Sequence, residues 1–135
     1  MEHANGYRDL EVYKLARQLS REIFKLTKSF PKEEKYSITS QIRRSSRSVG
    51  AQIAEAWSKR RYRRHFISKL TDADAEQQET QHWIETARDC DYLTKEKCDD
   101  LLNRYSSVGK MLNSMILKSA QFCSSSNLKR TIDNR

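Results

Sequence analysis

Apolar side chains recur along most of this chain in steps of three and four. Val12, Leu15, Leu19, Ile23, Leu26 and Phe30 fall on one stripe between Asp9 and Phe30, which predicts an amphipathic helix facing a core. Asp9 is placed to cap its start, and Pro31, the only proline, stands just past its end. A second helix is predicted from near Ser37 to near Ser58, with Ile38, Ile42, Ser46, Val49, Ile53 and Ala56 or Trp57 inward. That face is rich in Ser, Gly and Ala. Gly50 inside it costs about 1 kcal/mol relative to Ala, so close approach of a neighbouring backbone is expected as compensation.

The third helix is predicted from about Arg63 to Tyr92, with Phe66, Leu70, Ala73, Thr80, Ile84 and Ala87 at helical spacing. Its polar, acidic middle, TDADAEQQETQ, leaves only a narrow stripe to bury. A fourth helix begins after Leu93 and Thr94, with Thr94 as N-cap and Leu93 with Cys98 as a hydrophobic staple. Leu101, Tyr105, Val108, Leu112, Met115 and Ser119 continue its stripe.

Four such helices on short connections predict an all-α fold, an up-down-up-down antiparallel four-helix bundle forming one domain over residues 1–122. Periodicity is lost in CSSSNLKRTIDNR, which predicts a polar, disordered tail over residues 123–135. One Pro and three Gly in 135 residues is sparse punctuation and agrees with a nearly all-helical chain. No apolar run approaches the roughly eighteen residues of a membrane span. The polar MEHANGYRD start carries no signal peptide, and three cysteines without CxxC spacing read as reduced thiols, so a cytoplasmic location is expected.

Charge changes the picture. The net charge of +8 divides into +2 over residues 1–40, +7 over 41–65 and −1 over 66–135. Such concentration favours a phosphate backbone or an acidic protein surface as partner. The candidate nucleic-acid-binding residues are Arg43, Arg44 and Arg47 on helix 2, with Lys59, Arg60, Arg61, Tyr62, Arg63 and Arg64 in and after SKRRYRRH. Cations at the start of helix 3 oppose its dipole by about 0.3–1 kcal/mol each, a cost that a bound phosphate on the free N–H groups would relieve. Tyr62 offers a ring for an unpaired base, whereas Phe66 is expected in the core. The alternative is a protein-directed scaffold whose basic face docks an acidic partner without nucleic acid.

Nothing assembles into a catalytic constellation. Glu55 is the only acid among the cations and is expected in an ion pair. ETQH, residues 79–82, is a Glu-x-x-His, but neither His3 nor His65 has a Glu three residues before it. A di-metal centre of the ferritin type is therefore excluded within one chain, leaving a metal shared between subunits as the only such use. No P-loop, G-x-G-x-x-G or nucleophile elbow is present. The expected protein is not an enzyme and carries no metal or cofactor.

Gln41-Ile42-Arg43-Arg44, then Ile53-Ala54-Glu55, Phe66 and the pair Tyr92-Leu93 resemble the pattern of the four-helix-bundle proteins encoded in intervening sequences of bacterial 23S rRNA genes. The opening YRDLEVYKLA is also similar, and the likeness covers roughly residues 7–118. Gln52 stands where the family usually has Asn, and Ala56 where it has Gly, so helix 2 is expected to run on toward Trp57 and Ser58. The acidic middle of helix 3 lacks the family's small-residue pair. The resemblance implies a left-handed bundle that forms ring-like homo-oligomers, as pentamers. It also implies kinship with accessory proteins of diversity-generating retroelements, which bind nucleic acid beside a reverse transcriptase. It implies no catalytic residues. The expectation is thus a non-catalytic, homo-oligomeric accessory protein that binds RNA or DNA through phosphate, with little sequence preference.

Overall fold

The computed structural model describes residues 4–123. Four long helices, α1 (Glu11–Thr27), α2 (Ile38–Ser58), α3 (Arg63–Asp89) and α4 (Lys95–Leu117), are followed by a single turn, α5 (Ser119–Phe122). Short 3-10 turns lie at Tyr7–Asp9 and Lys32–Glu34, and no strand occurs among the described residues. α2 packs on α1 and α3, and α4 packs on α3 and α1, so each long helix touches two others around one core. This is the expected four-helix bundle. Leu19, Ile23, Ile42, Val49, Ile53, Phe66, Leu70, Ile84, Leu101, Tyr105, Val108 and Leu112 fill its centre.

The connections cluster by end. The Tyr92 hydroxyl donates to Glu34 Oε2 (2.8 Å) and its ring lies 5.3 Å from Phe30, which joins the α1–α2 and α3–α4 connections. At the other end Arg63 Nε donates to Ser119 Oγ (2.7 Å) and Phe66 stacks on Phe122 at 6.0 Å. α5 therefore closes the end that carries the α2–α3 connection.

α2 has the bounds its sequence predicts, and Thr94 caps α4 by accepting from the Lys97 N–H (3.1 Å). The ends of α1 differ. Asp9 does not cap the helix; it belongs to the preceding 3-10 turn and accepts from the Asn5 N–H (2.9 Å). α1 stops at Thr27, not Phe30, because the last N–H groups turn to carbonyls three residues back and swing Phe30 inward. The buried stripe of α1 includes Ala16 and Thr27, with Leu15 and Leu26 at its half-buried margin.

α3 ends at Asp89, three residues before Tyr92. Asp91 adopts a left-handed φ of 62°, its N–H bonds the Arg88 carbonyl, and the Tyr92 N–H reaches back to the Ala87 carbonyl. These are the two bonds of a Schellman motif, here with Asp where Gly is usual.

The small residues of α2 have two distinct uses. Ser45 meets Thr80 of α3 inside the core, with their hydroxyls 2.8 Å apart. Gly50 is approached by no backbone. The nearest atom to a Cβ placed there would be Cε1 of Tyr13, at an ordinary 3.6 Å. The tight glycine is Gly109 on α4, where an added Cβ would stand 2.9 Å from Nε2 of the buried Gln77. Of the tail expected at residues 123–135, Cys123 is buried and the rest lies outside the described residues.

Candidate nucleic-acid interface

A turn of 100° per residue decides where the cations of α2 go. Arg43 and Arg47 lie four apart and face α1, whereas Arg44 faces α3. Arg43 Nε donates to Thr27 Oγ1 (2.8 Å), while that hydroxyl donates to the Ile23 carbonyl (2.8 Å). The guanidinium groups of Arg43 and Arg47 lie 4.7 and 5.3 Å from the centre of the Phe24 ring, and Lys28 Nζ lies 4.9 Å from it. Three cations thus share one aromatic ring, whose attraction for a single cation is about 0.5–1 kcal/mol at exposed sites and is offset here by their mutual repulsion.

Arg44 is already matched. It donates to Glu76 (3.1 Å) and Glu79 (2.6 Å), and those bonds, Glu76 first, raise its pKa. Glu79 is held below the usual carboxylate value first by the Trp83 Nε1–H bond (3.0 Å) and then by Arg44. Glu55 pairs with Lys69 (3.2 Å), in keeping with the structural role its position suggests.

The stretch 58–65 divides too. The Arg60 guanidinium carbon lies over the Trp57 ring, 3.7 Å from its centre, and Nε donates to the Trp57 carbonyl (2.9 Å); burial lowers its pKa. Arg63 is tied to Ser119. Lys59, Arg61 and Arg64 are exposed and form no ion pair among the described residues. Tyr62 is 56% exposed with its ring 5.5 Å from that of His65. The first turn of α3 holds no acid and its N-cap, Tyr62, supplies no side-chain bond to the free N–H groups.

A second row of cations comes from α1, where Arg17, Arg21, Lys25 and Lys28 recur in steps of four, four and three. With Arg43 and Arg47 they border the seam between α1 and α2. Among the described residues none of the six has a carboxylate within ion-pair distance. Three shallow cavities share these side chains, two on the seam and one on α1 and the preceding 3-10 turn. One, about 460 Å³, is lined by Tyr7, Tyr13, Arg17, Arg21 and Arg47 together with the small residues Ala16, Gly50, Ala51 and Ala54. The others, about 490 and 250 Å³, add Arg8 and Lys14 at one end and Phe24 and Lys25 at the other. No Asp or Glu lines any of the three.

Of the acids of the two helices, Glu11 pairs with Lys14 (3.4 Å) and Glu55 with Lys69. Glu22 binds Arg104 and Lys97 of α4, and the Arg104 bond is the main cause of its pKa falling to about 2. A separate cavity of about 550 Å³ sits beside Trp57 and Arg60, but Asp9 and Glu11 border it and oppose an anion there. No group of three His, Cys, Asp or Glu among the described residues could hold a metal ion, and no described helix is long and apolar enough to cross a membrane.

Residues 8–114 match the family model described as 23S rRNA-intervening sequence protein. The fold matches the crystal structure of a protein of unknown function from the S23 ribosomal protein family of Bacteroides thetaiotaomicron. The two are 33% identical with a TM-score of 0.70, and the match covers 78% of this chain and 94% of that one. No curated protein matches the chain.

Proposed function

The chain belongs to the 23S rRNA-intervening sequence protein family, and from that premise we propose that it acts by binding nucleic acid through phosphate, without catalysis. One observation carries this reading: the α1–α2 seam presents Arg17, Arg21, Lys25, Lys28, Arg43 and Arg47 beside aromatic rings, and no acidic side chain lines its cavities. Cations held apart from carboxylates keep their field for an external polyanion. Several neutralised phosphates release counterions, so affinity would arise without reading the base sequence.

The candidates of the α2–α3 connection have a secondary place in this account. Lys59, Arg61 and Arg64 supply further exposed charge, as does Arg63 beyond its bond to Ser119, while Arg44 is paired with Glu76 and Glu79 and Arg60 is packed on Trp57. Assembly into a ring, as the family resemblance implies, would repeat the seam about an axis and multiply weak contacts by avidity. A reverse transcriptase beside the bound strand is compatible with the same role.

Fluorescence anisotropy with mixed-sequence oligonucleotides over a salt series tests the reading. Affinity should fall linearly with the logarithm of salt concentration, whatever the base sequence. Absence of binding even at low salt, with capture of an acidic protein instead, would replace nucleic-acid binding by a scaffold role.

A further inference from the structure

We propose that the recess beneath Tyr13 seats one unpaired nucleotide, which makes a single strand, rather than a duplex, the preferred ligand of the α1–α2 face. The proposal rests on the nucleic-acid reading above and adds the form of ligand that the surface selects.

The recess exists because of what α2 lacks. Gly50, Ala51 and Ala54 carry nothing beyond a Cβ, so the seam stays open over them by about 460 Å³. That volume falls in the range of small-ligand sites, about 300–1,000 Å³. The wall is aromatic: Tyr7 and Tyr13 meet edge to face, with centroids 4.8 Å apart and planes at 72°. Tyr13 is held from two sides, by Tyr7 and by Arg17 Nη1, which donates to its hydroxyl (3.0 Å). A ring held in this way loses little freedom when a base stacks on it.

The rim is cationic. Arg17, Arg21 and Arg47 border the recess from both helices, and no carboxylate joins them. A planar group entering among them would therefore have cations at hand for the phosphates on either side. Bases in a duplex have both faces covered by their neighbours, so none can enter a recess without leaving the stack. An unpaired base is free to do so, and stacking on an aromatic ring accepts any base. The small-residue stretch of α2, which at first suggests a close helix contact, thus keeps a space open on the outward side.

The test compares one mixed-sequence oligonucleotide, single-stranded and annealed to its complement, at fixed salt, by anisotropy. Wild-type protein should bind the single strand tighter by about fivefold or more, the scale of one stacked base. Ala54→Leu fills the recess without altering charge and should bring the two affinities together by weakening only the single strand. Ala51→Leu, at an exposed position of α2, makes the same test should Ala54→Leu misfold. Equal affinities in the wild type, or a preference that survives in a folded recess-filled variant, overturn the proposal and leave nucleic-acid binding standing. Failure of the wild type to bind either form overturns both.

Discussion

Arg104 holds Glu22 across the seam between α1 and α4, with its two terminal nitrogens each 2.6 Å from a carboxylate oxygen. Asp100, 2.7 Å from the same guanidinium, and Lys97, 3.4 Å from Glu22, extend the network. Helix register places Glu22 on the α4 side of α1, while Arg17, Arg21 and Lys25 have no carboxylate within ion-pair distance among the described residues.

The Glu22 carboxyl sets a pH dependence. Its pKa falls from 4.5 to about 2 in the folded chain, chiefly through the Arg104 hydrogen bonds. A depressed carboxyl stabilises the fold above its unfolded pKa and loses that contribution as pH falls through the folded value. In urea titrations Glu22→Gln should be less stable than wild type by on the order of 1–2 kcal/mol near neutral pH, allowing for partial exposure. The gap should narrow as pH drops from 4.5 toward 2. A gap that is constant across this interval would contradict the assignment.

The two helical glycines should respond in opposite directions to alanine. Gly50→Ala meets Tyr13 at 3.6 Å, so the gain in helix propensity should show as roughly 0.5–1 kcal/mol of added stability. Gly109→Ala would push the Gln77 amide from a 2.9 Å contact and disturb its bond to Asp74, inside a site that is nearly closed to water. A loss of about 1 kcal/mol is expected there. Denaturation midpoints that move the same way in both variants would refute the distinction.

Tyr105 is fully buried, and its hydroxyl has no hydrogen-bond partner among the described residues. Burial accordingly pushes the phenol pKa well up. Tyr105→Phe removes an unsatisfied polar atom and keeps the ring, so stability should stay level or rise by about 1 kcal/mol. A clear loss would mean that the hydroxyl is bonded.

Asp91 occupies a left-handed position that closes α3. Asp91→Gly should be neutral or stabilising by up to about 1 kcal/mol, since only an exposed contact to Arg88 is lost. Asp91→Val should destabilise, because a β-branched residue resists φ of 62°. Thermal melts of the two variants settle the sign of each.

Where each helix lies was legible in the sequence from apolar spacing, and the ends were legible where a side-chain cap or a matching turn signal was present. Thr94 and the Ser37–Ser58 stretch are the clearest cases. The early end of α1 was not, since Phe30 continues the apolar stripe yet reaches the core from a turn after the helix has stopped. The site was only partly legible. Counting charge by segment grouped Arg43 and Arg47, which lie toward α1 without a carboxylate partner among the described residues, with Arg44, which one residue's rotation delivers to Glu76 and Glu79. The same count hid the α1 row. Arg17, Arg21, Lys25 and Lys28 share their segment with acids that cancel them in a sum, although Glu22, the acid in the middle of α1, is paired with α4. Their steps of four, four and three were the signal, readable only when charge is mapped on the helix surface.

The most direct measurement is the salt slope of oligonucleotide binding for two charge-removal variants beside wild type. Arg17→Gln, Arg21→Gln and Arg47→Gln together should reduce the slope of log affinity against log salt by about 2, near 0.7 for each lost phosphate contact on a single strand, with helical circular dichroism unchanged. Arg44→Gln, whose charge is already matched by Glu76 and Glu79, should leave the slope as it was. A triple variant that keeps both affinity and slope would contradict the claim that the α1–α2 seam is the binding surface.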